Sequence, residues 1–588
     1  MEFSLPDPSG IKDKLTTERR FRPLHRVEAL LHAFSPAERL ALYALTTIMT
    51  VSALALVTQV NRSVSILVPA PGGSLTEGVV GPARFINPIL TMSEADEEIT
   101  RLVYSGLTRP SPEGGSIPDL ASGYTISDDG TVYTFTIRED ATFHDGERVT
   151  SADVAYTIAR AQDPNVKSPR RADWEGVIVA TPDARTVVFT LPRSYAPFLE
   201  NTTIGILPQH AWRETNAEEF PFNPLNTHPI GSGPFKISRI DTDSTGSPLR
   251  YSLVPFKKFA LDTPYLTKIT LLFYPNEEEK IKAFNAGEID AVAGVSPEQL
   301  KEITRTGMQT ITVPLPRIFG IFFNQNRATM LSDASARRAL DAAIDKNRLV
   351  SMVLDGYGVA LDSPMLPKGA PLSNSTTTVS TAYTQETIAA ARAELTRGGW
   401  KFNDATGAWT KGTQTLTFAL ATADAPELVK TADAVATAWR QVGVKVTVQV
   451  YSIAELNASV IRPRRYDALL FGEVVGRSLD LFAFWHSSQR NDPGLNLALY
   501  ANTRADTLLS QARATTEGPD RDKYYLQFAD ILREDRPAVF LFAPEFVYLV
   551  PERLQGLKLG AMTVPSDRFL SVHEWYTDTE YVWSIFTN

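Results

Sequence analysis

Residues 102–158 read LVYSGLTRPSPEGGSIPDLASGYTISDDGTVYTFTIREDATFHDGERVTSADVAYTI. Strand, turn and helix signals follow one another here. TVYTFTIRE (131–139) sets Val132, Phe135 and Ile137 among threonines, as a half-buried strand does, and the SDDG ahead of it is turn chemistry. In FHDGERVTSADVAYTI (143–158), His144 and Asp145 stand side by side before a helix. Adjacent residues on an extended chain point in different directions, and no serine on a strand-turn-helix elbow accompanies them, so a base with its orienter is a poor account. A turn at Asp145-Gly146 followed by a capping box, Thr150 with Asp153 three positions on, explains more residues.

Outward from this stretch, DEEITRLVYSGL (96–107) spaces Ile99, Leu102, Val103 and Leu107 as a helix that stops near Gly106, and TVVFTL (186–191) reads as a strand. Strands mixed with helices define an α/β chain. GSG (231–233) is not a phosphate loop: Pro234 stands where a helix should begin, no Lys-Ser/Thr pair follows, and a tight turn before the strand FKIS suffices. The pattern restarts between 313 and 545 with strand-like IFGIFFNQN (318–326) and helix-like ASARRALDAAI (334–344). DKNRLVSMVLDG (345–356) follows, with Asp345 as N-cap and Gly356 as C-cap. DAVATAWRQVGVKVTVQVY (433–451) gives a helix, a turn at Gly443 and a strand; the Ser/Thr-rich PLSNSTTTVSTAYT (371–384) reads as a surface loop.

At 588 residues the chain calls for two or three domains, or two lobes of interleaved segments. With 43% hydrophobic and 21% charged residues it has globular composition, and a net charge of -9 argues against a nucleic-acid partner. The absence of cysteine removes disulfides, thiolate metal sites and cysteine nucleophiles. The seven histidines (25, 32, 144, 210, 228, 486, 573) show no metal-ligand spacing, so neither metal nor cofactor is expected.

LALYALTTIMTVSALALVTQV, Leu40 to Val60, is 21 residues without a charge, about 31 Å as a helix and close to the hydrocarbon thickness. Arg20, Arg22, Arg26 and Arg39 precede it and only Arg62 follows closely, so the positive-inside rule puts the N-terminus in the cytoplasm and the bulk of the chain outside. A retained anchor is the expectation; a cleaved signal peptide is the alternative.

Residues 102–158 closely resemble the corresponding segment of extracellular solute-binding proteins of the peptide-transporter type (family 5). The likeness continues in order through HPIGSGPFKI (228–237), AFNAGEIDAV (283–292), ARRALDAAIDKNRLVSMVLDGYG (336–358), ARAELTRGGW (391–400) and RRYDALLFGEVVGRSLDLFAFW (464–485), covering about 65–575. It implies a periplasmic-binding-protein-like two-lobe fold with an extra subdomain, mixed sheets and flanking helices, closing over a ligand that is delivered to ABC transporter permease subunits. The expected division is a basic arm (1–39), an anchor (40–60), lobe one (61–312) with an inserted subdomain (about 91–225), lobe two (313–545) and a return to lobe one (546–588). Hinge strands are expected near 225–235, 310–318 and 538–548.

The resemblance also implies site residues. The family's amino-binding aspartate falls on Arg477, with Asp480 matching the acid three residues later; Glu473 is near enough to substitute, or the register shifts by one residue. A cation at that place weakens the case for a free peptide N-terminus and makes Arg477 a candidate partner for a carboxylate or another anion, against a plain ion pair with Glu473 or Asp480. Val474 and Val475 are candidates for main-chain and apolar contact, and Trp485, Asn496, Asn324 and Gln325 for the cleft lining. The implied ligand is an oligopeptide or another small solute, since relatives of this fold also take sugars, opines and nickel complexes. A membrane-anchored sensor of the same fold and a hydrolase are the other classes, the latter lacking a nucleophile-base pair or a metal motif in this sequence.

Overall fold

The computed structural model describes residues 34–112, 114–367, 385–477, 479–560 and 562–586. The loop expected at 371–384 and most of the arm 1–39 lie outside the described residues.

The apolar run forms the helix Pro36–Val64, begun by Ser35, whose backbone N–H donates to the Glu38 carboxylate at 2.8 Å. Residues Pro36–Asn61 are long and apolar enough to cross a membrane, and none of that window is buried in protein. Its threonines cause no orphan polar groups, because Thr46, Thr47 and Thr50 each donate to the carbonyl four residues back at 2.7–2.8 Å. The strand Ser65–Ala70 pairs with Asp578–Trp583 near the C-terminus, and Trp583 Nε1 donates to Asn61 Oδ1 at 2.6 Å.

Ala70–Asp578 is a separate compact unit. Its largest sheet has twelve strands, running in order Lys445–Tyr451, Thr417–Ala423, Ala468–Val474, Arg317–Phe323, Ala538–Pro551, Ala291–Ala293, Gly72–Val80, Leu266–Tyr274, Pro248–Pro255 and Phe235–Thr242. Met308–Pro314 and Gly358–Ala360 also pair with Ala538–Pro551. The buried apolar residues separate into two main cores. One gathers residues 318 to 543, the other residues 75 to 315 together with 546 to 575. The chain therefore passes between cores at Pro316-Arg317 and at Pro544-Glu545, with the 14-residue strand Ala538–Pro551 serving both. These crossings fall within the stretches 310–318 and 538–548. The stretch 225–235 differs: it is a short 3₁₀ turn and a loop leading into Phe235–Thr242 at the sheet edge, because Pro229, the glycines and Pro234 prevent a ladder.

A separate four-stranded antiparallel sheet orders Ala121–Ile126, Val132–Ile137, Thr186–Thr190 and Ile178–Ala180. The inward face of Val132–Ile137 is Tyr133, Phe135 and Ile137; Val132 is only half-buried. The helix Ser151–Gln162 starts at the expected cap: the Asp153 carboxylate accepts from Thr150 N at 2.8 Å and from Thr150 Oγ1 at 2.7 Å. Its other oxygen accepts from Gln209 N at 2.8 Å, so one side chain both starts the helix and fixes a distant loop. Asp345 caps Lys346–Leu354 as expected, but that helix ends on Asp355 in the left-handed region, one residue before Gly356.

His144 and Asp145 part company. Asp145 pairs with His210 at 2.7 Å, whereas His144 holds the GSG loop: its backbone N donates to Gly231 O at 2.8 Å, Gly231 N donates to its Nδ1 at 3.3 Å, and its Nε2 lies 3.1 Å from Gly233 O. Burial pushes the His144 imidazole down to about 4, so a neutral ring with Nε2–H donating fits both contacts. The loop packs on the end of the helix Glu94–Val103, where Gly233 N donates to Val103 O at 2.7 Å. A Cβ on Gly231 would stand 2.0 Å from the same carbonyl oxygen. Gly231→Ala should therefore lower unfolding stability in urea by about 2–3 kcal/mol, the usual cost of forcing backbone apart in a packed interior.

Candidate functional site

One cavity flanks the crossings and a second lies apart from them, and the helix Glu94–Val103 borders both. Glu94 and Glu98, one turn apart, face a cavity of about 390 Å³; Glu97, Thr100 and Arg101 face another of about 410 Å³. The first draws its walls from both cores, with Leu315 and Phe546 from one and Phe319, Leu428 and Phe542 from the other. Such volumes and mixed apolar and polar linings are those of small-molecule clefts.

In the second cavity the Asp567 carboxylate is matched within the protein. Asp567 Oδ1 accepts from Arg101 Nη2 at 3.1 Å, and Oδ2 accepts from Arg477 Nη2 at 2.8 Å and from Thr563 N and Oγ1, each at 2.8 Å. Burial pushes the Asp567 carboxyl up, yet Arg101, Arg477 and the Thr563 bonds outweigh it and hold it below its ordinary value. Arg477 follows the strand Ala468–Val474 of one core, whereas Asp567 begins the 3₁₀ segment Pro565–Glu574 of the other, so this ion pair joins the lobes. The side chains are 6% and 1% exposed, which sets the pair apart from the solvent-facing Lys301–Asp355 and Lys430–Glu298 bridges that also join them.

In the first cavity a charge is left unmatched. Glu545 sits at the crossing between the cores, 8% exposed, and neither carboxylate oxygen has a hydrogen-bond partner. Burial pushes its carboxyl up to about 7. Glu98, wholly buried, gives one oxygen to Arg568 at 2.7 Å while the other lacks a partner; burial, outweighing Arg568, pushes it up to about 7 as well.

Of the residues singled out from sequence, Arg477 alone lines either cavity. Its partner is the Asp567 carboxylate rather than Glu473 or Asp480. Asp480 instead pairs with Arg513 at 3.0 Å, and Arg513 lies over Phe482 and Tyr195. Glu473, paired in register with Ile318, points into the protein with both oxygens unpartnered, and burial raises its pKa strongly. Val474 is exposed, and the Val475 N–H is spent on Pro316 O at 3.0 Å. Trp485 is wholly buried against Phe322 and Phe540, and Asn496 gives its amide to the carbonyls of Trp485, His486 and Tyr500. Asn324 bonds Arg464 O and Arg327 N, and Gln325 accepts from Arg337. Asn496, Asn324 and Gln325 serve the packing of the lobe through hydrogen bonds already made, and Trp485, whose buried Nε1–H has no acceptor, serves it through its ring contacts alone.

Sequence reasoning missed Glu545, Glu98 and Asp567. For Glu545 a signal existed: it is the one charge in AVFLFAPEFVYLV (538–550), an otherwise apolar run.

Two cores joined by crossing segments, with a cavity walled from both, define a two-lobe solute-binding protein. The chain belongs to the bacterial extracellular solute-binding proteins, family 5, whose model matches residues 116–495. It is 25% identical over 514 residues to the oligopeptide-binding protein AppA of Bacillus subtilis (strain 168), covering 86% of this chain and 92% of AppA. The structure of that AppA in complex with a nonapeptide superimposes with a TM-score of 0.61 over 87% of this chain and 99% of AppA, at 25% identity. NikZ from Campylobacter jejuni in complex with Ni(L-His) gives a TM-score of 0.63 over 86% of this chain and 99% of NikZ, also at 25% identity.

Two measurements check this geometry. Arg477→Ala should cost about 1–3 kcal/mol in urea unfolding, less than a wholly orphaned buried charge because Asp567 keeps Arg101 and Thr563, and Arg477→Lys should recover part of it. Glu545→Gln should stabilise the protein at pH 8 by up to about 3 kcal/mol and leave it unchanged near pH 4. The sign follows from a folded-state pKa above the unfolded one: the native state binds more protons, so the wild type loses stability as pH rises from about 4.5 through 7, and glutamine removes that slope.

Proposed function

We propose that this protein is a membrane-anchored extracytoplasmic receptor that captures oligopeptides, or a related small solute, between its lobes and hands them to the permease subunits of an ABC importer. The observation that carries this reading is the cleft at the crossings. Its walls come from two separately packed cores that only two chain segments connect, so closing the lobes assembles the site and opening them takes it apart. Capture and release of this kind need no covalent step. An extended peptide suits a cleft bordered by strand ends, because main-chain hydrogen bonds give affinity independent of side chains.

The anchor reading is supported by a helix whose apolar side chains, Leu45 and Ile48 among them, are more than half exposed, with arginines ahead of it. In this reading residues 1–39 are cytoplasmic and the two-lobe unit faces outward. Anchoring keeps the receptor at the surface where its permease lies.

Native mass spectrometry of the full-length protein from membranes should find co-purified peptides, and peptides should raise its melting temperature. A co-purified sugar, or a thermal shift from another solute with none from peptides, would overturn the peptide assignment. The N-terminus of the mature protein in alkali-washed membranes should lie ahead of Pro36; one beyond Val60 would make the helix a cleaved signal.

A further inference from the structure

We infer that the cavity at the crossings takes an ammonium or guanidinium group of the captured solute, with the Glu545 carboxylate as its partner, so that the receptor prefers cationic ligands. This rests on the reading of the cleft as the capture site and adds the chemical class of what enters it.

The lining carries five glutamates against two cations. Lys280 is already engaged, by Glu277 at 2.7 Å and by Ala293 O at 3.2 Å, and Arg317 is exposed. Glu98 is paired with Arg568 at 2.7 Å, so Glu94, Glu427 and Glu545 remain as a negative wall. A surplus of acids is not by itself a site; what points to a ligand is the state of Glu545. More than nine-tenths of its surface is buried on the cavity wall, and both oxygens are without a hydrogen-bond donor. Leaving a buried carboxylate unpaired costs far more than leaving a neutral group unpaired, and a cation with several N–H groups relieves it completely.

Location strengthens the argument. Glu545 lies between Ala543, the last strand residue of one core, and Phe546, the first of the other. A glutamate there contributes to neither core, and an apolar residue would join the packing of one of them without the cost of burial. The neighbouring cavity supplies the contrast: Asp567 is equally enclosed, and the protein provides it with two arginines. The chain thus matches one carboxylate internally and leaves the other for what arrives. At about 390 Å³ the cavity has room for a long basic side chain and the segment bearing it.

The test is isothermal titration of the full-length protein in detergent with three pentapeptides, pentaalanine and its variants with a central arginine or a central glutamate, and with spermidine as a non-peptide cation. The arginine peptide should bind about tenfold more tightly than pentaalanine and the glutamate peptide more weakly than either, and Glu545→Gln should cut the arginine-over-alanine ratio by about fivefold or more. Equal affinities, or an arginine preference that survives Glu545→Gln, would sink the inference while leaving the peptide reading in place. If no peptide binds, but spermidine does and loses affinity in Glu545→Gln, the inference stands and the peptide reading falls. Failure of every probe to bind overturns both. Because the Glu545 side chain makes no hydrogen bond for the native fold to lose, Glu545→Gln should melt no lower than wild type at pH 8, which separates lost specificity from misfolding.

Discussion

The strand Ala538–Pro551 has to satisfy two hydrophobic cores with one backbone. Its first half carries Val539, Leu541 and Ala543 into one core, its second half Phe546, Tyr548 and Val550 into the other. Between them the strand changes partners, with Ala543 and Pro544 opposite Val359 and Gly358 and then Glu545 and Phe546 opposite Pro314 and Val313. Pro544, like Pro316 on the other crossing segment, has no N–H to give, so the two segments are held there by Leu315 N donating to Pro544 O at 2.9 Å and by Glu545 N reaching across to Tyr357 O at 3.1 Å. A junction where the strand changes partners and two prolines withhold N–H groups is the place where the lobes can change their angle at least cost, since neither core must repack. It is also where space opens, because side chains there belong to no packed layer.

On one side of this crossing a buried ionic cluster fixes the scaffold. Arg568 is wholly enclosed, paired with Glu77 at 2.8 Å and Glu98 at 2.7 Å, while Tyr548 donates to Glu77 at 3.0 Å. Burial works against the Arg568 charge, and the two glutamates outweigh it and raise its pKa above the ordinary value. The cluster ties the strand Gly72–Val80, the helix Glu94–Val103, the central strand and the Pro565–Glu574 segment to one another. Removing Arg568 would strand two buried carboxylates, so the geometry is held stiffly. Asp567, the adjacent residue, inherits that stiffness and presents its carboxylate to Arg477 of the opposite lobe.

Much of this was legible in the sequence, for identifiable reasons. Thr150 with Asp153 announces its helix because capping is local chemistry, and the alternation and turn signals around 121–158 are local too. The apolar N-terminal helix is legible because apolar length is a one-dimensional property. The family likeness carried the two-lobe plan and two of the three expected crossings. What escaped was long-range pairing. Arg477 and Asp567 are 90 residues apart, and no spacing rule joins them. Asn496 stood out by residue type, yet type does not say whether a buried polar group is already paired with a neighbouring carbonyl. His144 shows the same limit in reverse: the eye joins it to Asp145, while the fold joins it to Gly231 and Gly233, 87 and 89 residues away.

Asp567 and Glu545, one in each cavity, are opposite in electrostatic completeness, and that difference has a consequence for closure. The Arg477–Asp567 pair is an interaction between lobes that exists only when they approach, so it favours the closed arrangement whether or not a solute is present. Enclosing Glu545 without a partner does the contrary, because each step of closure removes water from a carboxylate that receives nothing in return. The empty receptor therefore balances a favourable contact against an unfavourable one, and the balance tips when a solute supplies the missing donors. Ligand-dependent closure requires only that the solute interact more strongly with one arrangement than with the other. An acid left unpaired at the crossing makes that difference depend on what the solute carries.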